Sequence, residues 1–212
     1  MKKLLCCIAL LLSVNTAYAD NNLDDAISEL QHAWARANYH TSEEKQEAAF
    51  KVLAKDAHQV SLENPGRAEP LIWEAIILSG YAKAKGGLGA LKIAEQSRDL
   101  LLVAEKINPQ ALNGSAYTSL GSLYYKVPGW PFGFGDKKKA RTYLEKALQI
   151  NPTGIDPNYF YADFLITQGE QAKAVECFKK ALSAPPRPGR EDADEGRRAE
   201  IQQALQKYEQ NS

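Results

Sequence analysis

Three large aromatic residues stand close together in one short, glycine- and proline-rich segment. Trp130, Phe132 and Phe134 alternate there with proline and glycine. Side chains of this size are unfavourable in water, so we expect them to fold back onto the protein or onto a ligand. Two interpretations stay open. The segment is either a hydrophobic plug that closes one end of the fold, or the wall of a ligand pocket or a partner contact.

Residue patterns typical of catalysis or metal binding are not found in the sequence. His32, His40 and His58 are its only histidines, and none pairs with another at the spacing of a zinc-binding helix. The glycines of segment 86–89 precede a helical pattern, but no predicted strand comes before them, so they do not indicate a phosphate-binding loop. We therefore expect no enzyme, no metal and no cofactor.

The composition is that of a globular protein without a strongly charged surface. The chain has 212 residues, 26 basic and 26 acidic, with a formal net charge of zero, and 44% of its residues are hydrophobic. Nucleic-acid binding requires a basic face, so the charge balance argues against a nucleic-acid partner. The hydrophobic content is sufficient for a packed core and argues against a disordered chain.

The N-terminus has the pattern of a secretory signal peptide. Two lysines precede a short apolar run, and Ala17 and Ala19 form a small-residue cleavage site. We expect residues 1–19 to be removed and the mature chain to be periplasmic, with no membrane span. Cys177 is then the only remaining cysteine, and its position on an apolar helical face predicts a buried small side chain.

Asn-Pro pairs recur along the chain and divide it into units. They occur at 64–65, 108–109 and 151–152, and Pro186 follows the last one. Proline cannot continue a helix, so each pair predicts a helix end. We expect one all-α domain over 20–212, with about nine helices in antiparallel pairs. Its predicted repeat units are 23–65, 70–109, 114–152 and 155–186, and its capping helix is 192–210.

The unit 155–186 resembles the tetratricopeptide repeat (TPR), a helix–turn–helix of about 34 residues. Ala162, Ala174, Ala181 and Pro186 fall where that repeat has small residues and proline. The resemblance implies a concave binding surface lined from the first helix of each unit. Carried over by position, that surface consists of Glu74, Leu78, Tyr81, Thr118, Ser122, Tyr125, Tyr159, Asp163 and Ile166.

Two of the repeats carry more residues between their helices than the family pattern has. The extra residues predict enlarged turns at 83–89 and 126–135, which would project from the same edge of the stack and meet there. Asp136 follows the second turn and immediately precedes a helical pattern, so we expect it to be the N-cap of that helix.

The signal peptide, the widened repeats and the segment Gly129–Gly133 together resemble the periplasmic T-component of TRAP transporters. That resemblance implies a periplasmic scaffold that binds a small apolar or amphipathic ligand in an internal cavity, or a solute-binding protein as its partner. An alternative function stays open: a structural adaptor for envelope assembly, which contacts proteins and holds no small ligand.

Overall fold

The computed structural model describes residues 22–209, so the predicted signal peptide lies outside the described residues. Within this range the chain forms nine helices and no strand. The helices are α1 (22–39), α2 (Glu43–Glu63), α3 (Ala68–Lys85), α4 (Gly87–Ile107), α5 (Ala111–Lys126), α6 (Lys137–Ile150), α7 (Ile155–Thr167), α8 (Gln171–Leu182) and α9 (Glu191–Glu209).

The helices stack as antiparallel pairs, which confirms the predicted all-α, TPR-like class. Sequential helices α3 and α4, α5 and α6, and α7 and α8 pack extensively on each other, and α2 packs on α3 to the same extent as α7 packs on α8. Contacts between units run from α3 to α5, from α5 to α7 and from α7 to α9. The odd-numbered helices therefore form the inner layer of the stack, and the even-numbered helices form the outer layer.

Small residues allow the helices of a pair to approach closely. Ala162, Ala174 and Ala181, which carry the TPR resemblance, are all fully buried. In the pair before, a Cβ added to Gly121 would lie 2.5 Å from Cγ of Leu144. A larger residue at one of these alanines or at Gly121 would separate the two helices of the pair, because protein interiors leave no spare volume.

The enlarged turn predicted at 83–89 is not present. α3 continues to Lys85 and α4 begins at Gly87, with Gly86 alone between them at a φ of 61°. A glycine adopts this left-handed conformation without a Cβ clash, so a single residue suffices to end α3. The additional residues lengthen the two helices instead, and they leave Leu88 fully exposed at the start of α4.

The second enlarged turn, by contrast, is a genuine loop. Residues 127–136 connect α5 to α6, and we call them the aromatic loop. Its backbone is ordered by hydrogen bonds: Gly135 N donates to Pro128 O at 2.9 Å, and Asp136 N donates to Tyr124 O at 2.8 Å. Leu91 of α4 lies beside Gly133, so the loop reaches the neighbouring repeat, but it meets helix α4 there and not a second enlarged turn.

The last helix packs on α8 and also returns toward the first. The hydroxyl of Tyr39, at the end of α1, donates to Glu200 of α9 at 3.5 Å, and Gly196 of α9 lies directly against the Tyr39 ring. Burial raises the pKa of Tyr39 above its ordinary value. The helix predicted as a terminal cap therefore also bridges the two ends of the stack.

Cys177 of α8 is only half-buried, beside the cluster formed by α7, α8 and α9, rather than fully buried as predicted, and its partial burial raises the thiol pKa. None of the helices over 22–209 has the length and apolar character required to cross a membrane.

Asp136 caps α6, as predicted: its carboxylate accepts from the backbone N–H of Lys138 at 2.9 Å and of Lys139 at 3.1 Å. We expect Asp136→Ala to lower the free energy of unfolding by about 1 kcal/mol, because two N–H groups lose their acceptor. Asp136→Asn, which keeps an acceptor oxygen, should lose much less. Urea denaturation of both variants measures the difference, and equal losses would contradict a capping role.

Candidate functional site

The inner face of the stack lines a cavity of about 630 Å³. Its walls come from α1, α3, α5 and α7, and its remaining side is bordered by the connection 185–190 and by α9. An open helical stack presents a groove on its concave side. Here the C-terminal part of the chain borders the groove, so the concave surface becomes a deep, partly open pocket.

The cavity wall combines aromatic and hydroxyl groups. Trp34 and Trp73 meet edge to face, with ring centroids 6.3 Å apart, and Tyr159 and Phe160 of α7 form a second aromatic pair at 5.2 Å. Between them, α3 and α5 present a row of short hydroxyl side chains: Ser79, Ser115, Thr118, Ser119 and Ser122. A wall of this kind suits a molecule with both apolar and polar parts.

The start of α5 has an unusual backbone where it meets the cavity. Leu112, Asn113 and Gly114 have φ values of 49°, 55° and 75°, in the left-handed region that leucine rarely adopts. Leu112 and Asn113 both line the cavity. Residues held in this conformation concentrate at binding sites, where the surrounding packing maintains them.

A network of charged residues holds the covering segment in place. Asp156, at the start of α7, accepts from Arg187 at 2.7 Å and from Arg197 at 3.0 Å. Arg187 also donates to Asp194 at 2.7 Å, and Arg197 donates to Glu200 at 2.6 Å. The network therefore ties α7, the connection 185–190 and α9 to one another.

The network also determines the charge state of its central carboxylate. Burial alone would raise the pKa of Asp156, but Arg197 and Arg187 outweigh it and lower that pKa to about 2. Burial raises the pKa of the neighbouring Tyr159 to about 12, and the guanidinium carbon of Arg197 lies 4.2 Å from its ring. At neutral pH the network thus holds an ionised aspartate between two arginines.

Three of the residues predicted from the TPR resemblance lie on the cavity wall: Thr118, Ser122 and Tyr159. Two others interact with each other between α5 and α7, where Tyr125 donates to Asp163 at 2.6 Å. Burial, followed by the charge of Asp163, raises the pKa of Tyr125 well above its ordinary value.

The predicted residues of α3 face elsewhere. The carboxylate of Glu74 is buried against the α2 side, 2.8 Å from Nδ1 of His58, and Tyr81 packs in the cluster formed by α1 to α3. The cavity is lined instead by Trp73, Ile76, Gly80 and Lys83. A displacement of one position rotates a helical face by about 100°, which accounts for the difference.

The aromatic loop does not line the cavity. Only Phe134 folds back onto the protein, edge to face on Tyr124 at 5.8 Å and beneath the Arg98 guanidinium at 4.5 Å. Trp130 is 91% exposed and Phe132 is 78% exposed. Trp130 and Phe132 therefore do not fold back onto the protein, which contradicts the hydrophobic-plug interpretation, and their contact with a ligand or partner stays a prediction. The loop is held by its own backbone hydrogen bonds, which leave both rings at the surface.

Sequence reasoning did not identify Trp34, Trp73 or the arginines of the C-terminal segment as site residues. The tryptophans had the spacing of ordinary core residues. Segment 185–190 is rich in proline, and its local pattern gives no signal that Arg187 and Arg190 belong to a site. Within the described range, no group of three metal-ligating side chains comes together.

Comparison with known families identifies tetratricopeptide repeats in this chain. Residues 133–153 and 155–188 match the family model described as tetratricopeptide repeat. These segments cover α6 and the pair α7–α8, so the TPR resemblance is confirmed there. Proteins built from such repeats are generally interaction scaffolds. The narrower resemblance to TRAP T-components stays a prediction.

Among solved structures, a thermophilic TPR protein from Thermus thermophilus is similar at 16% sequence identity, with a TM-score of 0.43. The match covers 75% of this chain and 92% of that chain. A comparison with curated proteins gives no significant match.

The charged network makes a prediction about acid stability. Because folding lowers the pKa of Asp156, its carboxylate stabilises the fold at neutral pH, and this contribution is lost as pH falls from about 4 to about 2. We expect Asp156→Asn to lower the free energy of unfolding at pH 7 by about 2 to 3 kcal/mol. The difference from the wild type should shrink as pH falls through that range.

Urea titrations at pH 7 and pH 3 measure both effects. Asp56→Asn, at an exposed position on α2, is the matched control and should behave as the wild type. A loss of stability in Asp156→Asn that is the same at both pH values would contradict the role given to the network.

Proposed function

We propose that the protein is a periplasmic binding scaffold that encloses a small amphipathic ligand and presents its aromatic loop to a protein partner. The cavity carries the ligand part of this proposal. Its volume of about 630 Å³ falls in the range of small-molecule sites, which is roughly 300 to 1,000 Å³.

The chemistry of the wall supports an amphipathic rather than a purely apolar ligand. An apolar ligand would leave the hydroxyls of α3 and α5 without added partners. A fully polar ligand would gain little from the tryptophans and from Phe160. Ser79 already donates to the backbone of α3 at 3.0 Å, but its hydroxyl oxygen can accept a further hydrogen bond.

The C-terminal segment forms one side of the partly open site. Segment 185–190 contains three prolines and holds its position through Arg187. A bound ligand that contacts this segment would stabilise its position and the folded chain by mass action.

The partner part of the proposal rests on the aromatic loop. An ordered loop that leaves a tryptophan and a phenylalanine in water is typical of a protein interface, where such residues supply much of the binding energy. Lys137, Lys138 and Lys139 follow the loop and are all exposed. We therefore propose a partner surface with an apolar pocket bordered by acidic residues.

The proposed cellular location and the proposed partner protein are inferred from the sequence alone. The signal-peptide pattern supports a periplasmic protein, and the TRAP resemblance suggests that the partner is the transporter's solute-binding protein. The second candidate function, an envelope assembly adaptor, is favoured by the exposed loop but gives the cavity no role.

Native mass spectrometry separates the two functions. We expect the full chain, purified from its source under gentle conditions, to carry one small molecule. Ser119→Trp, which fills the cavity from α5, should lose that molecule. Ser183→Trp, at an exposed site, is the matched control and should keep it. A stoichiometric protein partner without any small molecule in the wild type would support the adaptor instead.

Substitution of the loop tests the partner surface. We expect Trp130→Ala to reduce recovery of a stoichiometric partner by at least about tenfold in quantitative cross-linking, as for a central aromatic contact. Its melting temperature should stay within about 1 °C of the wild type, because the ring is 91% exposed.

Val52→Ala on α2 removes an exposed apolar side chain from another helix and should leave recovery unchanged. Phe134→Ala, in contrast, should lower the melting temperature, since that ring packs on Tyr124. Undiminished partner recovery by Trp130→Ala would overturn the assignment of the loop.

A further inference from the structure

We propose that the ligand is an amphipathic organic anion whose carboxylate binds to Arg190 and Trp73 on the cavity wall. This inference rests on the proposed function, because it names the chemical class that the same cavity accepts. It is carried by two adjacent hydrogen-bond donors that have no acceptor, and by the absence of a direct ion pair at one of them.

Two buried N–H groups on the cavity wall lack a hydrogen-bond acceptor. They are Nε of Arg190 and Nε1 of Trp73. A buried donor without an acceptor destabilises a protein by roughly 1 to 3 kcal/mol, so native structures rarely contain one. Two of them on one cavity wall indicate that a ligand supplies the acceptor.

The two donors belong to side chains that touch each other. The guanidinium carbon of Arg190 lies 5.0 Å from the Trp73 ring, within the range of a cation–π contact. A guanidinium held by its face keeps its N–H groups directed outward in its own plane. Arg190 is therefore held against the Trp73 ring, and a carboxylate that reaches the guanidinium can accept from more than one of its N–H groups.

The ion pairs around the cavity leave one guanidinium without a direct carboxylate contact. Arg187 and Arg197 pair directly with three carboxylates of the network, those of Asp156, Asp194 and Glu200. Within residues 22–209, Arg190 forms no ion pair and donates no side-chain hydrogen bond. One guanidinium without a direct carboxylate partner matches a monoanionic carboxylate better than a doubly charged phosphate.

The remainder of the ligand faces the apolar part of the wall. Trp73 borders Trp34, and Ile76 lies one helical turn further along α3. Phe160 extends this apolar surface from α7. An anionic group at Arg190 thus places an attached hydrocarbon or aromatic group against these side chains, as expected for a molecule with one charged end.

A purely structural role for Arg190 makes a different prediction. In that case its contact with Trp73 only fastens the covering segment, and its loss lowers stability without changing which ligands bind. Selectivity between a carboxylate and its neutral amide separates the two roles, because only a direct contact with the anion depends on the ligand's charge.

The experiment uses 3-phenylpropionate and 3-phenylpropanamide as probes, with binding measured by calorimetry or ligand-observed NMR. We expect the wild type to bind the carboxylate at least about tenfold more tightly than the amide. Arg190→Gln should abolish this preference. Trp73→Phe, which keeps a ring but removes the N–H, should reduce it about threefold to tenfold.

Arg36→Gln removes the same charge from the exposed face of α1 and is the matched control, expected to keep the full preference. If Arg190→Gln does not fold, Arg190→Lys keeps the charge but loses the planar fork, and its preference should fall well below that of the wild type. Circular dichroism verifies the fold of each variant.

Each contrary result has a distinct meaning. Equal binding of both probes by the wild type, or an unchanged preference in Arg190→Gln, overturns the anion site and leaves the proposed function intact. A co-purified molecule without an acidic group does the same. Absence of any small molecule from the native spectrum, together with no binding of either probe, overturns the proposed function and this inference with it.

Discussion

The pocket on the concave face depends on one carboxylate that is shared by two arginines. Asp156 stands at the first turn of α7, where the helix dipole also favours a negative charge. Arg187 and Arg197 reach it from the connection 185–190 and from α9. Neither arginine is close to Asp156 in the sequence. Without this junction the last helix would remain a simple cap, and the concave face would stay an open groove.

The repeat architecture could be predicted because it follows from local rules. The Asn-Pro pairs end helices wherever they occur, and the buried alanines of α7 and α8 have a spacing that two closely packed helices require. The N-cap of α6 at Asp136 could be predicted for the same reason, because it depends only on adjacent residues. The enlarged turn predicted at 83–89 was wrong for a physical reason. A glycine can end a helix within a single residue, so extra residues between two helical patterns can lengthen the helices instead of forming a loop.

The site was harder to predict because it depends on contacts distant in sequence. Three site residues could be predicted because α5 and α7 belong to the inner layer: Thr118, Ser122 and Tyr159. In α3 the alignment to the repeat was displaced, so Trp73 was overlooked in favour of its neighbour Glu74. No local pattern shows that a proline-rich linker folds over a groove, and the role of Arg187 and Arg190 becomes visible only when α7 and α9 are placed together.

The contact between Tyr39 and α9 has a consequence for how the molecule unfolds. Linear repeat proteins have nearest-neighbour energetics, so their terminal units can fray independently of the rest. Here the first and last helices contact each other, so neither terminal unit has a free end. Fraying at either end must break contacts made by the other end. The chain should therefore lose its structure as one cooperative unit, with the cavity opening and the termini separating in the same transition.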